Sequence, residues 1–193
     1  MNLLHVTGSY PLGTHTFVMW QMRGALDIGH RVAVLATHPG NPAGEKMAEQ
    51  LGLPSDAVVV ANFRDHSPWR LDLRRLKPTI RDAANQPLFG RRLAERRKSF
   101  FCALLDDPRI HSADLIQVHF VSWAIEVGLP LARILNRPCV VTAHGAVADT
   151  PVEALRQVQQ QADAIVLVSD QELQAWIART GSAAKLHRVW NGL

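Results

Sequence analysis

The sequence predicts a doubly wound α/β fold, with a mostly parallel, seven-stranded sheet covered by helices on both faces. Two observations carry that reading. Seven short runs of β-branched and apolar residues, at 2–6, 31–36, 57–61, 114–118, 138–142, 163–168 and 186–190, alternate with longer stretches of helical periodicity. Within them Cys139-Val140-Val141 and Ala164-Ile165-Val166-Leu167-Val168 are apolar without interruption, as strands buried on both faces must be. A chain of 193 residues that is 47% hydrophobic holds material for one good core, so residues 1–193 read as a single domain.

Taken in order, the first strand leads into Gly8-Ser9-Tyr10-Pro11-Leu12-Gly13, and Thr14 is the expected N-cap of the first helix. Val18, Met22 and Ala25 share one face of that helix, Gly29 ends it, and Arg31 opens the second strand. Residues 62–70 and 82–90 read as irregular connections. The arrays Arg70/Arg74/Arg75/Lys77/Arg81 and Arg91/Arg92/Arg96/Arg97/Lys98 fall on two further helices. The fourth and fifth strands end at Gln117-Val118-His119-Phe120 and Thr142-Ala143-His144-Gly145. Ser169 and Glu172 form a capping-box pattern that opens a helix over 170–179, and the last strand runs into Asn191-Gly192-Leu193.

Charge is concentrated rather than spread. Residues 64–98 hold eleven Lys and Arg against four Asp and Glu, although the whole chain is only +4. Such arrays attract phosphates or anionic headgroups, and they serve equally as a solvated helix face whose Arg stems cover apolar surface. Nucleic acid is disfavoured as a partner, because no binding motif is present and few aromatics interleave the arginines. No run approaches the roughly 18 apolar residues of a membrane span, and the start lacks the pattern of a secretory signal, so a cytoplasmic location is expected. Cys102 and Cys139 stand at no metal or redox spacing and read as two unpaired thiols.

In folds of this class ligands gather beyond the carboxyl ends of the strands. The Gly8–Gly13 segment leaves room for a ligand beside free amides and the positive end of a helix dipole, which suits a diphosphate; it serves equally as a purely structural turn. His119 and His144 end two parallel strands at one crevice rim, where an imidazole can hydrogen-bond a sugar hydroxyl or phosphate oxygen, and Gly145 leaves space beside the second. No carboxylate stands at fixed spacing from either, so a catalytic triad or a metal site has little support. His5, His30, His38 and His66 show no pattern and read as structural or solvated.

These residues carry a resemblance. Gly8-Ser9-Tyr10-Pro11, Thr14-His15-Thr16-Phe17, Ala25 to Val32, His119-Phe120, Thr142-Ala143-His144-Gly145, Ala162-Asp163-Ala164 leading to Val168-Ser169, and Asn191-Gly192 resemble, in order and spacing, the N-terminal domain of family 4 retaining glycosyltransferases. The resemblance implies a Rossmann-like domain forming one half of a GT-B architecture. It implies an acceptor-binding role, with His144 as the active-site histidine and a substrate-binding set of Gly13, Thr14, His15, His119, Phe120, Gly145, Ser169 and Asn191. It also implies a nucleotide diphosphate sugar as donor, no metal or other cofactor, and a separate C-terminal donor domain. The acceptor would be a glycan, a lipid-linked molecule or a small molecule, and residues 64–98 would meet an anionic membrane at its inner face. At Thr14-His15 many relatives of the closest subgroup read Ser-Glu, so an imidazole replaces a carboxylate near the acceptor. Two other readings stay open: a non-catalytic acceptor-binding or regulatory subunit, and a flavodoxin-like small-molecule-binding domain.

Overall fold

The computed structural model of the protein describes residues 1–61, 94–145 and 147–190. The strands are β1 (Asn2–Tyr10), β2 (Arg31–Pro39), β3 (Val58–Val60), β4 (Leu115–His119), β5 (Cys139–Ala143), β6 (Ala164–Leu167) and β7 (Leu186–Arg188). The helices are α1 (Thr16–Asp27), α2 (Pro42–Gln50), α3 (Ala94–Leu105), α4 (Pro108–His111), α5 (Trp123–Leu135), α6 (Val152–Gln161) and α7 (Asp170–Thr180). All neighbouring strands are parallel, in the order β3-β2-β1-β4-β5-β6-β7. The order reverses at β1, so the crevice between the carboxyl ends of β1 and β4 is the topological switch point, where ligands bind in this fold class.

Of the boundaries that differ from the sequence expectation, two reshape the crevice. β1 continues past residue 6 to Tyr10, because β2 extends far enough to pair Ser9 with His38 and Tyr10 with Pro39. Gly8, Ser9 and Tyr10 are therefore strand, and the turn shrinks to Pro11–Thr14. His15 rather than Thr14 occupies the N-cap position of α1, and its side chain makes no capping hydrogen bond. The His15 amide donates to the Leu12 carbonyl at 2.9 Å, closing a turn that leaves Thr14 exposed inside it. The other end of α1 follows expectation. Gly29, at φ +82°, ends the helix while the amides of Gly29 and His30 return to the carbonyls of Leu26 and Ala25.

Apolar packing differs between the faces. On one, Val18, Met19 and Met22 of α1 cluster with Val32, Val34 and Ala36 of β2. On the other, Phe100, Phe101 and Leu104 of α3 join residues of α5, α6 and α7 against Leu4, Val6, Ile116, Val118 and Val141. Gly128 of α5 approaches β4 so closely that a Cβ there would stand 2.2 Å from Val118 Cγ2. The apolar runs of β5 and β6 predict burial on both faces, but Val140 and Val166, on the α1 side, are only half-buried. The helices packed on that face, α1 and α2, cluster with β2 instead.

The basic arrays at 70–81 and 91–98, and the connections at 62–70 and 82–90, lie mostly or wholly outside the described residues. Both cysteines are free, and burial pushes the Cys139 thiol up to about 12. Among the described residues no helix is long and apolar enough to cross a membrane.

A candidate active site at the switch point

Strand register fixes which side chains meet. His5 stands beside Gln117, and His119 beside Thr142, so these four share the α1 face of the sheet while Leu4, Val6, Ile116 and Val118 share the other. His5 and His119 are fully buried there. His5 Nδ1 lies 2.8 Å from His119 Nε2, and His119 Nδ1 lies 3.2 Å from His144 Nε2. The rings are nearly coplanar, at 7° and 19°, and stand edge to edge in a file that runs from the sheet interior to the cleft. Gln117 Nε2 donates to both Gln21 of α1 and Thr142 Oγ1 at 3.3 Å, tying the helix to the same polar layer.

The outer end of the file opens among aromatic rings. Phe17 lies 4.2 Å from His144 between centroids, Phe120 lies 5.0 Å from it, and His15 lies 4.6 Å from Phe120. Phe120 adopts φ +70° and Gly145 adopts φ +97°. Left-handed backbone just after a strand interrupts the alternation of side chains, so the consecutive residues His119 and Phe120 both approach His144.

Burial keeps these imidazoles neutral. It lowers His5 and His144 to about 4, lowers His15, and holds His119 well below its ordinary value, with the charges of His5, His144 and His15 adding to the effect at His119. His5 Nε2, His15 Nδ1 and His144 Nδ1 are buried without hydrogen-bond partners. An unpaired buried polar atom is costly, so such atoms at a cleft mark where a ligand can make up the deficit.

The Pro11–Thr14 turn is clasped from outside. The Asn41 amide donates to the Pro11 carbonyl at 2.9 Å. The Asn41 side chain caps α2 by accepting from Gly44 N at 2.8 Å and reaches the Gly13 amide at 3.4 Å. The Gly13 amide is thus partly engaged rather than free. Cβ atoms at Gly40 and Gly44 would stand 1.9 and 2.3 Å from the Pro11 carbonyl oxygen, so only glycine permits this contact. No side chain caps the start of α1 and no acidic residue lies in its first turn, so its orphan amides and positive dipole end stand uncompensated beside His15.

Ser169 does what its capping pattern predicts, accepting from the Glu172 amide at 3.2 Å at the start of α7. Its hydroxyl therefore serves as a helix cap, and it positions Glu172 beside Gly145. Desolvation raises the Glu172 pKa, opposed by the amides of Gly145 and Val168, though neither amide closes to hydrogen-bond geometry. His144, His119, His15, Phe120 and Gly145 come together, Gly13 and Thr14 form the adjoining turn, and Asn191 lies outside the described residues.

His5 and Asn41 escaped the sequence reading as site residues, and Phe17 and Glu172 entered it only within a family motif and a capping pattern. For His5 the signal was present. Leu4-His5-Val6-Thr7, Ile116-Gln117-Val118-His119 and Val141-Thr142-Ala143-His144 all alternate apolar with polar, and that period places His5 on the face of His119. His5 is accordingly neither solvated nor without pattern. Among the described residues no group of three His, Cys, Asp or Glu is arranged to hold a metal ion.

Three structures from Anabaena, all of Alr3699/HepE, share this chain's fold at 20% identity. The complex with UDP and glucose superposes with a TM-score of 0.65 over 100% of this chain and 45% of the other. The complex with UDP-glucose gives 0.66 over 99% and 44%, and that with UDP gives 0.60 over 99% and 43%. This chain therefore spans less than half the length of those it matches, and its sheet is that of one half of a GT-B glycosyltransferase. No curated protein matches it. Residues 13–193 match Glycosyltransferase Family 4, and the chain belongs to that family.

Proposed function

We propose that this chain is the acceptor-binding half of a retaining glycosyltransferase that moves a sugar from a nucleotide diphosphate sugar to an acceptor hydroxyl. The observation that carries the reading is His144, with its unpartnered Nδ1, in an aromatic-lined cleft beside the uncapped start of α1. In the transfer the bond from the sugar's anomeric carbon to the diphosphate oxygen breaks. The acceptor oxygen bonds to that carbon on the same face, and its proton passes to the departing phosphate oxygen. The protein's work is positioning and charge stabilisation. The first turn of α1 faces the negative charge that develops, His144 hydrogen-bonds the transferred sugar, and Phe17 and Phe120 bound the space around it.

The strongest contacts to the diphosphate would come from a donor domain, in cis or as a separate chain. Val189 and Trp190, exposed at the end of β7, support a partner surface there. The chain alone should be inactive or nearly so, and turnover of a nucleotide sugar by it at about 1 per second or faster would refute that. The direct test is transfer by the full-length gene product with and without His144→Ala. Losing the hydrogen bond that positions the sugar should lower turnover on the order of 100-fold; unchanged turnover removes His144 from the mechanism. We further propose a cytoplasmic enzyme that meets anionic membrane through 64–98 and takes a lipid-linked acceptor. Its co-sedimentation with liposomes should grow with anionic lipid and fall with salt.

A further inference from the structure

Beside the aromatic cleft, a cavity of about 570 Å³ opens at the carboxyl ends of β1, β2 and β3, a size suited to a small molecule. Tyr10, Leu53 and Val58 wall it, and Glu45 and Glu49 border it from α2. Pro11 lines it from the turn that leads to His15, so one turn borders both the cavity and the cleft.

Two observations give this cavity a chemistry. Tyr10 is only 3% exposed, and its hydroxyl is buried without a hydrogen-bond partner. Burial pushes that phenol up to about 12, so it keeps a proton to donate. Buried hydroxyls are hydrogen-bonded as a rule, and a ligand oxygen seated against this wall would supply the missing acceptor.

The second observation is charge. Glu45 and Glu49 stand one turn apart on α2, where like charges repel. Glu49 also lies in the last turn, which holds no basic residue and where the helix dipole disfavours a carboxylate. Among the described residues neither side chain makes an ion pair or a hydrogen bond. Local chemistry thus argues against both carboxylates, and sequences break such local rules chiefly at functional sites. A cation held between the two would relieve the repulsion and the conflict with the dipole together.

We propose that this cavity binds a hydroxylated primary amine, with its ammonium between Glu45 and Glu49, an oxygen against Tyr10 and its carbon framework on Leu53 and Val58. An amino sugar and an ethanolamine headgroup both carry that chemistry. That the amine belongs to the acceptor rests on the transfer reading above, through the turn that cavity and cleft share; the binding itself does not.

Tyr10 is the single tyrosine of the chain, so ¹³C-tyrosine labelling gives one set of ring signals, in the cavity wall. Near neutral pH, glucosamine or ethanolamine should shift those signals saturably at roughly millimolar concentration, and glucose should not. A larger response to glucosamine identifies a sugar unit as the source of the amine, and a larger response to ethanolamine identifies a headgroup. Glu49→Gln should weaken amine binding on the order of 10-fold, and it leaves the fold intact because it removes an exposed like charge. The proposal is overturned by equal responses to glucose and glucosamine, by no response to either amine, or by binding indifferent to Glu49→Gln. Amine binding by a chain whose full-length form transfers no sugar would refute the transfer reading alone.

Discussion

The central strands present two unlike faces. Toward α5 they offer Leu4, Val6, Ile116, Val118, Val141 and Ala143, all buried and apolar; toward α1 they offer His5, Thr7, Gln117, His119 and Thr142. The first face is a packing surface, where Gly128 lets a helix settle against Val118. On the second, His5 Nδ1, His119, Gln117 and Thr142 draw partners from the same layer, while Thr7 Oγ1 and His5 Nε2 are buried without one. One sheet thus separates two tasks: stability resides mainly under α5, and chemistry is held in place under α1. On the α1 side each side chain answers to its neighbours' protons as well as to their volumes.

Four perturbations sharpen this contrast. Leu4→Ala should cost roughly 2–5 kcal/mol in denaturant unfolding, since it opens a cavity in a face with nothing to refill it; a loss below about 1 kcal/mol would mean that face is loosely packed. Acid should act through the other face. The imidazoles of His5 and His144 titrate near 4 when folded and near the ordinary 6.5 when unfolded. The unfolded chain therefore binds more protons between those values, so this stability is fully present above about pH 6.5 and is lost as pH falls toward 4. For fully buried His5 alone the loss approaches about 3 kcal/mol. Urea midpoints compared at about pH 7 and about pH 5 would show it, and His5→Phe should flatten the dependence.

Gly128→Ala should cost about 2 kcal/mol by overpacking against Val118. A neutral result would show that α5 slides freely on the sheet. Smallest of all, Ser169→Ala should lose about 1 kcal/mol by uncapping α7. Thermal unfolding resolves a loss of that size.

The architecture was legible because seven strands separated by helices leave little freedom: all seven runs became strands of one parallel sheet. Gly29 and Ser169 ended and began helices as read, since each acts through its own local backbone chemistry. Thr14 failed as a cap because a tertiary partner, the extended β2, lengthened β1 and moved the turn. The site was half-legible. His119 and His144 announced themselves at strand ends, but His5 sits in mid-strand, where only its alternation with Leu4 and Val6 marks it. Asn41 and Phe17 act through contacts that span the chain, and no local pattern records those.

Phe120 turns through φ +70°, a conformation that a bulky side chain holds at a cost of order 1–3 kcal/mol and that glycine would adopt freely. Glycine there would relieve the backbone but forfeit the ring's contacts with His15, Phe17 and His144, so the strain is held in place by the same packing that walls the site.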